Sequence, residues 1–398
     1  MLLERWGFLG GTLTAVTLGG FCGLWAVTPQ QLIPVIGGLF DELIDRLRAR
    51  DGITEPRRWT KVASLPYDPT AVKLVSDEML ADRGVDVLFH TWVADVIASE
   101  GRVEAVILEN KGGRFAVRPR MVVDCTGDGD VAARAGAPFE LGSGGITQFA
   151  SSMFRMANVD IPQFNALSRD EISQRLEAVV ENGTFLPRTM VALYPHPISG
   201  VVHLNATKVA RKDGQPFDLT DPRQLSDAER EGRRQAFLYE SVLRQHMPGF
   251  AHARIVDIGA QIGIRETRLI KGDHVLDADD VLRGMKHDDG IACCAWPVEM
   301  HGEGRKTVWK FLDDGDYYRI PYRSLTPLGL HNVLVAGRCV STTHEAQASV
   351  RVSAPALAMG EAAGLAAAMA LTAGSDTRQV DVRTLQARLR REGAVLEL

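Results

Sequence analysis

Three short apolar segments of this 398-residue chain each lead into a glycine, and this pattern constrains the fold more than any other feature. The first is Leu2-Leu3-Glu4, which leads through Arg5-Trp6 into GFLGG. The second is Val122-Val123-Asp124, followed by CTGDGD, and the third is 333–336, followed by Gly337. In a doubly wound α/β sheet, ligands lie outside the carboxyl ends of the parallel strands, where glycine lets a ligand approach the backbone closely. We therefore expect an α/β fold with a ligand site at these strand ends.

The residues between these segments divide the chain into predicted domains. Alternating apolar residues and turn glycines predict five strands before residue 125, at 85–89, 92–98, 103–109, 114–118 and 121–124. Because the first two glycine-ended segments and 333–336 require the same buried sheet, we predict one discontinuous domain from 1–140 and 325–375. Residues 141–324 then form an inserted α+β substrate domain, and 376–398 form a C-terminal tail.

Three helix starts are predicted from local signals. Pro69 begins a helix that extends to about residue 82, and Ser226-x-x-Glu229 is a capping box that predicts a helix running toward His246. After Pro355, a run of small residues predicts a long final helix over 356–371. The glycines and alanines of this last helix favour close packing against the sheet.

Composition and charge exclude several classes of protein. The sequence has 45 Lys and Arg against 50 Asp and Glu, a net charge of −5, so it offers no electrostatic reason to bind nucleic acid. A hydrophobic fraction of 45% excludes an intrinsically disordered chain. The five cysteines form no C-x-x-C pair, which leaves no ligand set for a zinc ribbon or a ferredoxin-type cluster. Scattered free thiols are typical of a cytoplasmic protein, and we expect that location.

The uncharged segment 6–27 has two interpretations. Its length is typical of a signal peptide or a transmembrane helix. It also contains six glycines and three threonines, which lower its helix propensity and make membrane insertion less favourable. We therefore favour a buried, glycine-rich segment in contact with a ligand, and a membrane anchor is the alternative.

Five longer segments carry a resemblance to a known family: GFLGGTLTAV (7–16), DCTGDGDVAARAGAPFE (124–140), GIRETRLIKGDHVLDADDVL (263–282), IPYRSL (320–325) and NVLVAGRCVSTTHEAQASVRVSAPALAMGEAAGLAAA (332–368). Over nearly its whole length the chain resembles the FAD-dependent oxidoreductases of the heterodisulfide-reductase-subunit-A-like group. The resemblance implies an FAD/NAD(P)-binding, Rossmann-like doubly wound sheet, an FAD cofactor and oxidoreductase activity.

The resemblance also implies which residues hold FAD. Glu4 would bind the adenosine ribose, because a carboxylate at a strand end accepts hydrogen bonds from both ribose hydroxyls. The residues implied at the flavin and at the diphosphate–ribityl chain are Gly10, Gly11, Thr12, Thr126 and Gly127. The residues implied at the ribityl and pyrimidine end are Gly337 and the turn 359–363, which includes Met359 and Gly360.

The sequence departs from the family at its beginning. The family opens with a strand, a GxGxxG turn and a helix, about 25–30 residues before the acid-ended strand, whereas Glu4 stands almost at the start of this sequence. We therefore expect a sheet that lacks its first βα unit, from an N-terminally truncated gene or a start codon assigned too late. The iron–sulfur clusters of the relatives are not carried over, because this chain lacks their cysteine spacing.

The candidate catalytic residues follow from flavin chemistry and lie just before the final helix. His344 is suited to supply or remove a proton, with Glu345 beside it, and Arg351 is suited to hold an anionic substrate group. A purely structural His–Glu pair is the alternative. Arg265, Glu266 and Arg268 are interpreted as a buried ion-pair cluster, with substrate contact as the alternative.

No metal site is assigned from the sequence. His196 and His203 flank a short apolar segment, but neither a carboxylate nor a third ligand stands in register with them. Cys293 and Cys294 are adjacent, which favours core packing over an unstrained disulfide between them.

The leading functional hypothesis is an FAD-dependent oxidoreductase that transfers a hydride between the flavin and a small, unidentified metabolite. Its electron donor or acceptor is also unidentified. The alternatives are a truncated, catalytically silent family member that does not retain FAD, and a membrane-anchored protein that uses segment 6–27.

Overall fold

A computed structural model gives the fold and describes residues 1–302 and 304–398. Its strands are β1 (Leu2–Leu3), β2 (Gly20–Cys22), β3 (Trp25–Val27), β4 (Leu32–Pro34), β5 (Arg57–Trp59), β6 (Val62–Pro66), β7 (Val87–Leu88), β8 (Trp92–Ser99), β9 (Arg102–Asn110), β10 (Gly113–Val117), β11 (Val122–Asp124), β12 (Phe139–Leu141), β13 (Phe154–Ala157), β14 (Ala192–Pro195), β15 (Val202–Asn205), β16 (Arg254–Ile258), β17 (Arg268–Ile270), β18 (Gly290–Cys294), β19 (Val298–Met300), β20 (Val308–Lys310), β21 (Tyr318–Pro321) and β22 (Val333–Val335).

Its helices are α1 (Thr12–Ala15), α2 (Leu39–Arg48), α3 (Pro69–Ala81), α4 (Asp130–Arg134), α5 (Ile161–Asn165), α6 (Arg169–Glu181), α7 (Pro222–His246), α8 (Ala278–Leu282), α9 (His344–Val350), α10 (Ser353–Ala373) and α11 (Val382–Arg391). Short 3₁₀ helices lie at Tyr322–Leu325 and Thr377–Gln379. The helix predicted from Pro69 is present, and Asp68 caps it by accepting a hydrogen bond from the backbone N–H of Thr70.

Two parallel strand pairs carry the glycine-ended segments. Strand β1 pairs with β7, and β11 pairs with β22 from Val122↔Val333 to Asp124↔Val335. Strands β11 and β22 thus lie side by side, as the sequence predicts, although the whole α+β region separates them along the chain. The domain boundaries themselves stay a prediction.

The described strands do not form one continuous doubly wound sheet, whereas the sequence predicts such a sheet without its first βα unit. The β1–β7 and β11–β22 pairs are separate two-stranded sheets. In the described residues each of these four strands pairs along one edge only, so the two ladders are not continuous. The fold is mixed α/β, with short parallel pairs in place of one extended sheet.

Buried Asn332 joins the β8–β10 sheet to the strand pair that contains β22. Its Oδ1 accepts a hydrogen bond from the Val103 N–H (2.9 Å), and its Nδ2 donates to the carbonyl oxygens of Val103 (2.9 Å) and Arg120 (3.3 Å). Because the side-chain amide takes up both backbone groups of Val103, it satisfies buried groups where a strand partner would otherwise be needed. This contact fixes β22 against the antiparallel sheet.

Residues 154–258 form an α+β unit with a hydrophobic cluster of its own. Strands β13 to β16 form a four-stranded antiparallel sheet in the order β14-β15-β13-β16. Phe154 and Leu204 of this sheet are buried with Leu176 of α6 and Tyr239 of α7. The α+β character predicted for the region between the glycine-ended strands is therefore present.

Helix α7 begins earlier than predicted. Asp221 is its N-cap and accepts hydrogen bonds from the backbone N–H groups of Arg223 and Gln224, and Pro222 occupies the first turn. Ser226 lies inside the helix, where its hydroxyl donates to the Pro222 carbonyl oxygen (2.7 Å). The capping box was wrong because an aspartate followed by proline is a stronger helix start one turn upstream.

Helix α10 lies at the centre of another hydrophobic cluster. Met359 is fully buried there together with Ile291 of β18 and Tyr318 of β21. Leu385 of α11 belongs to the same cluster, so the segment predicted as a C-terminal tail contains a packed helix. The predicted boundary at residue 324 falls within this cluster, because residues on both sides of it contribute to the same core.

By length and apolar composition alone, α10 is the one helix in the described part of the chain that could span a membrane. One face of it is buried in the cluster just described. The uncharged segment 6–27 contains only the short helix α1 and strands β2 and β3. It therefore does not form the continuous helix that a membrane anchor requires.

Candidate functional site

The loop after β11 is organised by the buried carboxylate of Asp124. Its Oδ1 accepts hydrogen bonds from the backbone N–H and the hydroxyl of Thr126 (3.0 and 2.7 Å), and its Oδ2 accepts two backbone N–H groups of α4 (both 2.9 Å). Burial raises the pKa of Asp124, and these hydrogen bonds oppose that shift. The Thr126 side chain is thus used to shape the loop, and Gly127 (φ 77°) turns the backbone next to it.

An ion pair connects this loop to the loop after β22. Arg338 Nη2 lies 2.8 Å from Asp128 Oδ1, and the hydroxyl of Thr267 donates to the same oxygen (2.7 Å). Burial raises the pKa of Asp128, but the charge of Arg338 and the hydrogen bonds lower it more, so the net shift is downward. Gly127 and Gly337, which flank this pair, are therefore brought to the same edge of the β11–β22 sheet.

Four consecutive residues, 265–268, contact both the predicted cofactor loops and the candidate catalytic histidine. The Glu266 carboxylate binds His344, and Thr267 binds Asp128. Arg268 donates to the carbonyl oxygen of Asp128 and pairs with Asp130 (2.9 Å). The segment was interpreted from sequence as a structural ion-pair cluster, yet it also joins the predicted flavin loops to the predicted acid–base residue.

Glu4 stands at the carboxyl end of β1, as predicted. One of its carboxylate oxygens accepts the backbone N–H of Trp6 (2.9 Å), and the side chain is partly buried. Burial raises its pKa, and the Trp6 N–H and the neighbouring Arg5 charge lower it less. A carboxylate that accepts one backbone donor keeps acceptor capacity for hydroxyl groups of a ligand.

Gly10, Gly11 and Thr12 form the turn into helix α1. Gly10 (φ 102°) and Gly11 (φ 52°) adopt conformations that favour glycine, and no side chain caps the helix. Thr12 is exposed. These residues lie on the surface next to Glu4 in sequence, and their assignment to the cofactor stays a prediction.

Met359 and Gly360 do not lie at a helix N-terminus. Helix α10 begins at Ser353, two residues before Pro355, so both residues fall in its second turn. Met359 is fully buried in the hydrophobic cluster. Gly360 faces open space, and Glu361 next to it accepts the backbone N–H of Leu39 at the start of α2. The surface of this turn that a ligand can reach is therefore at Gly360.

His344 forms a buried pair with Glu266. Its Nδ1 lies 2.8 and 2.9 Å from the two carboxylate oxygens, and Glu266 is completely buried. Burial lowers the pKa of His344, but the hydrogen bond and charge of Glu266 raise it more, so the net shift is upward. Glu345 is exposed and lies on the next position of α9, so the carboxylate partner of His344 is Glu266.

Two buried glutamines fix this pair. The backbone N–H of Gln148 donates to Glu266 Oε2 (2.9 Å), and its side chain donates to Gln347 Oε1 (2.7 Å). Gln347 donates in turn to the carbonyl oxygen of Arg265 (2.6 Å). Because His344, Gln347 and Arg351 lie three and four residues apart, they occupy one face of helix α9.

Arg351 lies at the end of α9 and interacts with Glu299. Its Nη2 lies 3.3 Å from the Glu299 carbonyl oxygen and 3.7 Å from Oε2. Glu299 also accepts from His301 (3.1 Å), whose pKa burial lowers well below its usual value. The Arg351 Nε–H is buried without a hydrogen-bond partner among the described residues.

A separate cluster of His274, Asp280 and His287 lies at helix α8. The Nε2 atoms of the two rings are 3.2 and 3.0 Å from different oxygens of Asp280, and the potential ligand atoms lie within 4.8 Å of one another. This group carries no recognisable signal in the sequence, because its spacing, H-x₅-D-x₆-H, matches no common metal motif. Asp280 also accepts the backbone N–H of the N-cap residue Asp277 in the capping box of α8, so hydrogen bonding alone accounts for the arrangement.

The residues predicted to hold FAD fit such a ligand in two respects. A Cβ atom added at Gly11, Gly337 or Gly360 would meet no atom of the chain within 4 Å, so ligand atoms have room to approach these backbones. Glu4 retains acceptor capacity of the kind that ribose hydroxyls require. Oxygen acceptors and open glycine backbones are the groups by which α/β folds hold a dinucleotide.

The model of the family described as FAD dependent oxidoreductase matches residues 1–389 of this sequence. The chain belongs to this family. It is a family of enzymes whose cofactor is FAD, which confirms the expected enzyme class and cofactor. No curated protein matches this sequence.

Three solved structures are similar to this chain over nearly the whole of its length. BexE, studied for oxidation during BE-7585A biosynthesis, is 15% identical with a TM-score of 0.44. The match covers 98% of this chain and 63% of the BexE chain. The myxobacterial chondrochloren halogenase CndH is 14% identical with a TM-score of 0.43, and the match covers 98% of this chain and 73% of CndH. A geranylgeranyl bacteriochlorophyll reductase-like protein from Thermoplasma acidophilum is 11% identical with a TM-score of 0.40, and the match covers 95% of this chain and 67% of that protein. The chain thus spans about two thirds of the length of these structures.

Proposed function

We propose that this family member oxidises or reduces a small-molecule substrate, with the His344–Glu266 pair as its acid–base group. When bound, FAD supplies the two-electron chemistry by exchanging a hydride with the substrate. Glu4, Gly11, Thr126, Gly127, Gly337 and Gly360 would hold the cofactor.

One observation supports this proposal above the others: the segment 265–268 contacts both the predicted cofactor loops and His344. Thr267 and Arg268 bind Asp128 beside Gly127, and Glu266 binds His344. A group that moves a proton must lie within reach of the place where electrons are exchanged. The continuity of this segment supports such proximity between His344 and the predicted cofactor loops.

The pairing with Glu266 determines which nitrogen of His344 exchanges the proton. Nδ1 must carry a hydrogen to donate to the carboxylate, so Nε2 is the atom that gives a proton to the substrate or takes one from it. Glu266 stabilises the imidazolium form, and the Gln148 N–H holds the carboxylate in place. The raised pKa of His344 favours its role as proton donor near neutral pH.

We also propose that the chain belongs to the heterodisulfide-reductase-subunit-A-like group within this family. The motifs that support the finer assignment are the DCTGDGD loop at Asp124 and the segment 332–368. No iron–sulfur cluster is proposed for the chain, because its cysteines lack the required spacing.

The experiment begins with flavin binding. The purified chain is incubated with excess FAD and desalted, and its visible absorbance and tryptophan quenching are measured. Substrate classes are then screened by anaerobic bleaching of the bound flavin. We expect His344→Gln to retain flavin but to slow bleaching by about 10²- to 10⁴-fold, the usual contribution of an acid–base group.

Glu345→Gln is the matched control, because Glu345 neighbours His344 but does not pair with it. It should bleach at close to the wild-type rate. A chain that retains no FAD under these conditions would favour the alternative of a silent family member, and equal bleaching by the wild type and His344→Gln would exclude the acid–base role.

A further inference from the structure

Two buried arginines of the α+β region converge on one amide oxygen. Arg188 Nη1 donates to Asn205 Oδ1 at 3.1 Å, and Arg265 Nη2 lies 3.5 Å from the same atom. Arg188 is 4% exposed and Arg265 is 6% exposed, while Asn205 at the end of β15 is only partly buried. Distant parts of the chain, a loop after α6 and the segment before β17, thus bring two positive charges together.

Neither guanidinium has an ion-pair partner in the described part of the chain. The other acceptors of Arg265 are neutral: the Phe149 carbonyl oxygen (2.6 Å) and the Ser151 hydroxyl (2.9 Å). Arg188 adds only the Asn205 carbonyl oxygen (3.4 Å), and its buried Nε–H has no acceptor among the described residues. Burial of a guanidinium without a carboxylate is costly, because the charge loses its hydration.

The surrounding charges do not balance this pair. Arg351 is a third guanidinium in the same region, and its charge together with that of Arg188 lowers the pKa of Arg265 further below the value that burial alone gives. Glu299 is the nearby carboxylate that opposes them, but it is already engaged by His301. The other carboxylate that acts on Arg351 is Glu266, which is already paired with His344. Three guanidinium groups therefore face two carboxylates that both have other partners, which leaves an excess of positive charge inside the protein.

Two of these arginines lie on the elements that carry the proposed acid–base pair. Arg265 precedes Glu266 in the sequence, and its carbonyl oxygen accepts from Gln347 of helix α9. Arg351 is on the same face of that helix as His344 and Gln347. Arg265 and helix α9 thus connect the arginine pair with the residues that carry the proposed acid–base group.

We propose that Arg188, Arg265 and Asn205 form a binding site for a small oxyanion, a carboxylate or a phosphate, carried by the substrate of this enzyme. The planar N–H fork of arginine matches either group with two parallel hydrogen bonds. The anion would supply the acceptor that the Arg188 Nε–H lacks and would neutralise the excess charge. As an assignment of substrate class, this inference rests on the proposed function.

The experiment measures anion binding directly, with and without FAD. Thermal unfolding of the full chain is followed in acetate, succinate and inorganic phosphate, each against chloride at the same ionic strength and against neutral acetamide. We expect at least one of the three oxyanions to raise the unfolding temperature in a saturable manner, and acetamide to have no effect. The carboxylate and phosphate arms identify which oxyanion the site prefers.

Arg188→Met tests the site, and Arg234→Met is its control, because Arg234 is an exposed arginine of α7 paired with Glu231. The first variant should bind the anion about 10- to 100-fold more weakly. In anion-free buffer it should unfold at the wild-type temperature or above, because an unpaired buried charge has been removed. The control should respond to the anion as the wild type does.

Arg188→Lys covers the case in which the methionine variant does not fold. It keeps the charge but loses the planar fork, so we expect a folded protein with anion affinity weakened about tenfold or more. Wild-type response in both Arg188→Lys and Arg265→Met, or no oxyanion effect beyond chloride in the wild type, would overturn the site. Anion stabilisation without flavin binding would contradict the proposed function alone, and flavin binding without anion stabilisation would contradict the site alone.

Discussion

Asp128 and Arg338 form a 2.8 Å ion pair that ties the loop after β11 to the loop after β22. Both side chains are mostly buried, and Gly127 and Gly337 lie immediately before them in the two loops. The pair therefore holds two distant glycine turns in a fixed relation at one edge of the parallel strand pair. Thr267 adds a second donor to the same carboxylate oxygen, which extends the connection to the segment that carries Glu266.

Replacing Arg338 should destabilise the protein and reduce flavin retention together. Arg338→Met leaves the Asp128 carboxylate buried with only the Thr267 hydroxyl as donor, which should lower the free energy of unfolding by about 3 kcal/mol. Urea unfolding measures this change, and visible absorbance after incubation with FAD measures retention. Arg134→Met, at an exposed arginine that pairs with Asp130, is the control and should change stability by less than about 1 kcal/mol.

The stability that the Asp128–Arg338 ion pair contributes should depend on pH in a defined direction. The folded-state pKa of Asp128 is lowered, so its contribution is present above the unfolded-state value of about 3.9 and is lost as the pH falls through the folded-state value. The stability difference between the wild type and Asp128→Asn should therefore be constant near neutral pH and shrink below about pH 4. A difference that grows on acidification would contradict this assignment.

The contribution of the His344–Glu266 pair to stability depends on pH in the opposite direction. Because the folded-state pKa of His344 is raised, the pair stabilises the protein below the unfolded-state value of about 6.5, and this stabilisation is lost as the pH rises through the folded-state value. Glu266→Gln should lower the pKa of His344, and NMR titration of labelled histidines, with His344→Gln to assign the signal, measures it. Glu345→Gln should change the pKa of His344 much less, since Glu345 acts on the ring only through its charge. Equal shifts in the two variants would contradict the assignment of Glu266 as the partner of His344.

The sequence predicted the elements that depend on local signals. Alternation located β8, β9 and β10 within one or two residues, and Pro69 located the start of α3. The pairing of β11 with β22 was also predictable, because two buried apolar strands that end in glycine have few other places in an α/β fold. The capping box at Ser226 failed because Asp221-Pro222 starts the same helix one turn earlier.

The site was harder to predict because its partners are distant in sequence. His344 was found from its type and its place before α10, but Glu266 lies 78 positions away and was interpreted as structural. Arg188 and Asn205 carry no local pattern, and only the sheet brings them to Arg265. A face with His344, Gln347 and Arg351 at helical spacing was the one available signal for the network. The expected βα unit before Met1 concerns residues outside this sequence and stays a prediction.

Gly360 tests whether a ligand covers the second turn of α10. A Cβ there meets no atom of the chain, so Gly360→Ala should raise the free energy of unfolding without flavin by about 0.5–1 kcal/mol, the usual gain in a helix interior. If the predicted cofactor contact is present, the same variant should retain less FAD. Gly364→Ala, one turn further on and equally open, should give the stability gain with unchanged flavin content. Undiminished flavin in Gly360→Ala would remove Gly360 from the cofactor site.

Asp280 should prove to be a stabilising residue of the His274–Asp280–His287 cluster. Its carboxylate accepts hydrogen bonds from both imidazole rings and completes the capping box at the start of α8. Asp280→Ala removes all of these contacts at once and should lower the free energy of unfolding by about 2 kcal/mol, measured by urea denaturation. Asp279→Ala is the matched control: Asp279 occupies the preceding position of the same helix, is highly exposed and pairs only with Arg283, so its loss should cost less than about 0.5 kcal/mol. Equal losses in the two variants would mean that the cluster contributes nothing beyond an ordinary charge at a helix start. Carrying out both measurements in a strong chelator separates hydrogen bonding from metal binding, because a stability difference that disappears with the chelator would show that a bound cation, and not the two imidazole hydrogen bonds, makes Asp280 important.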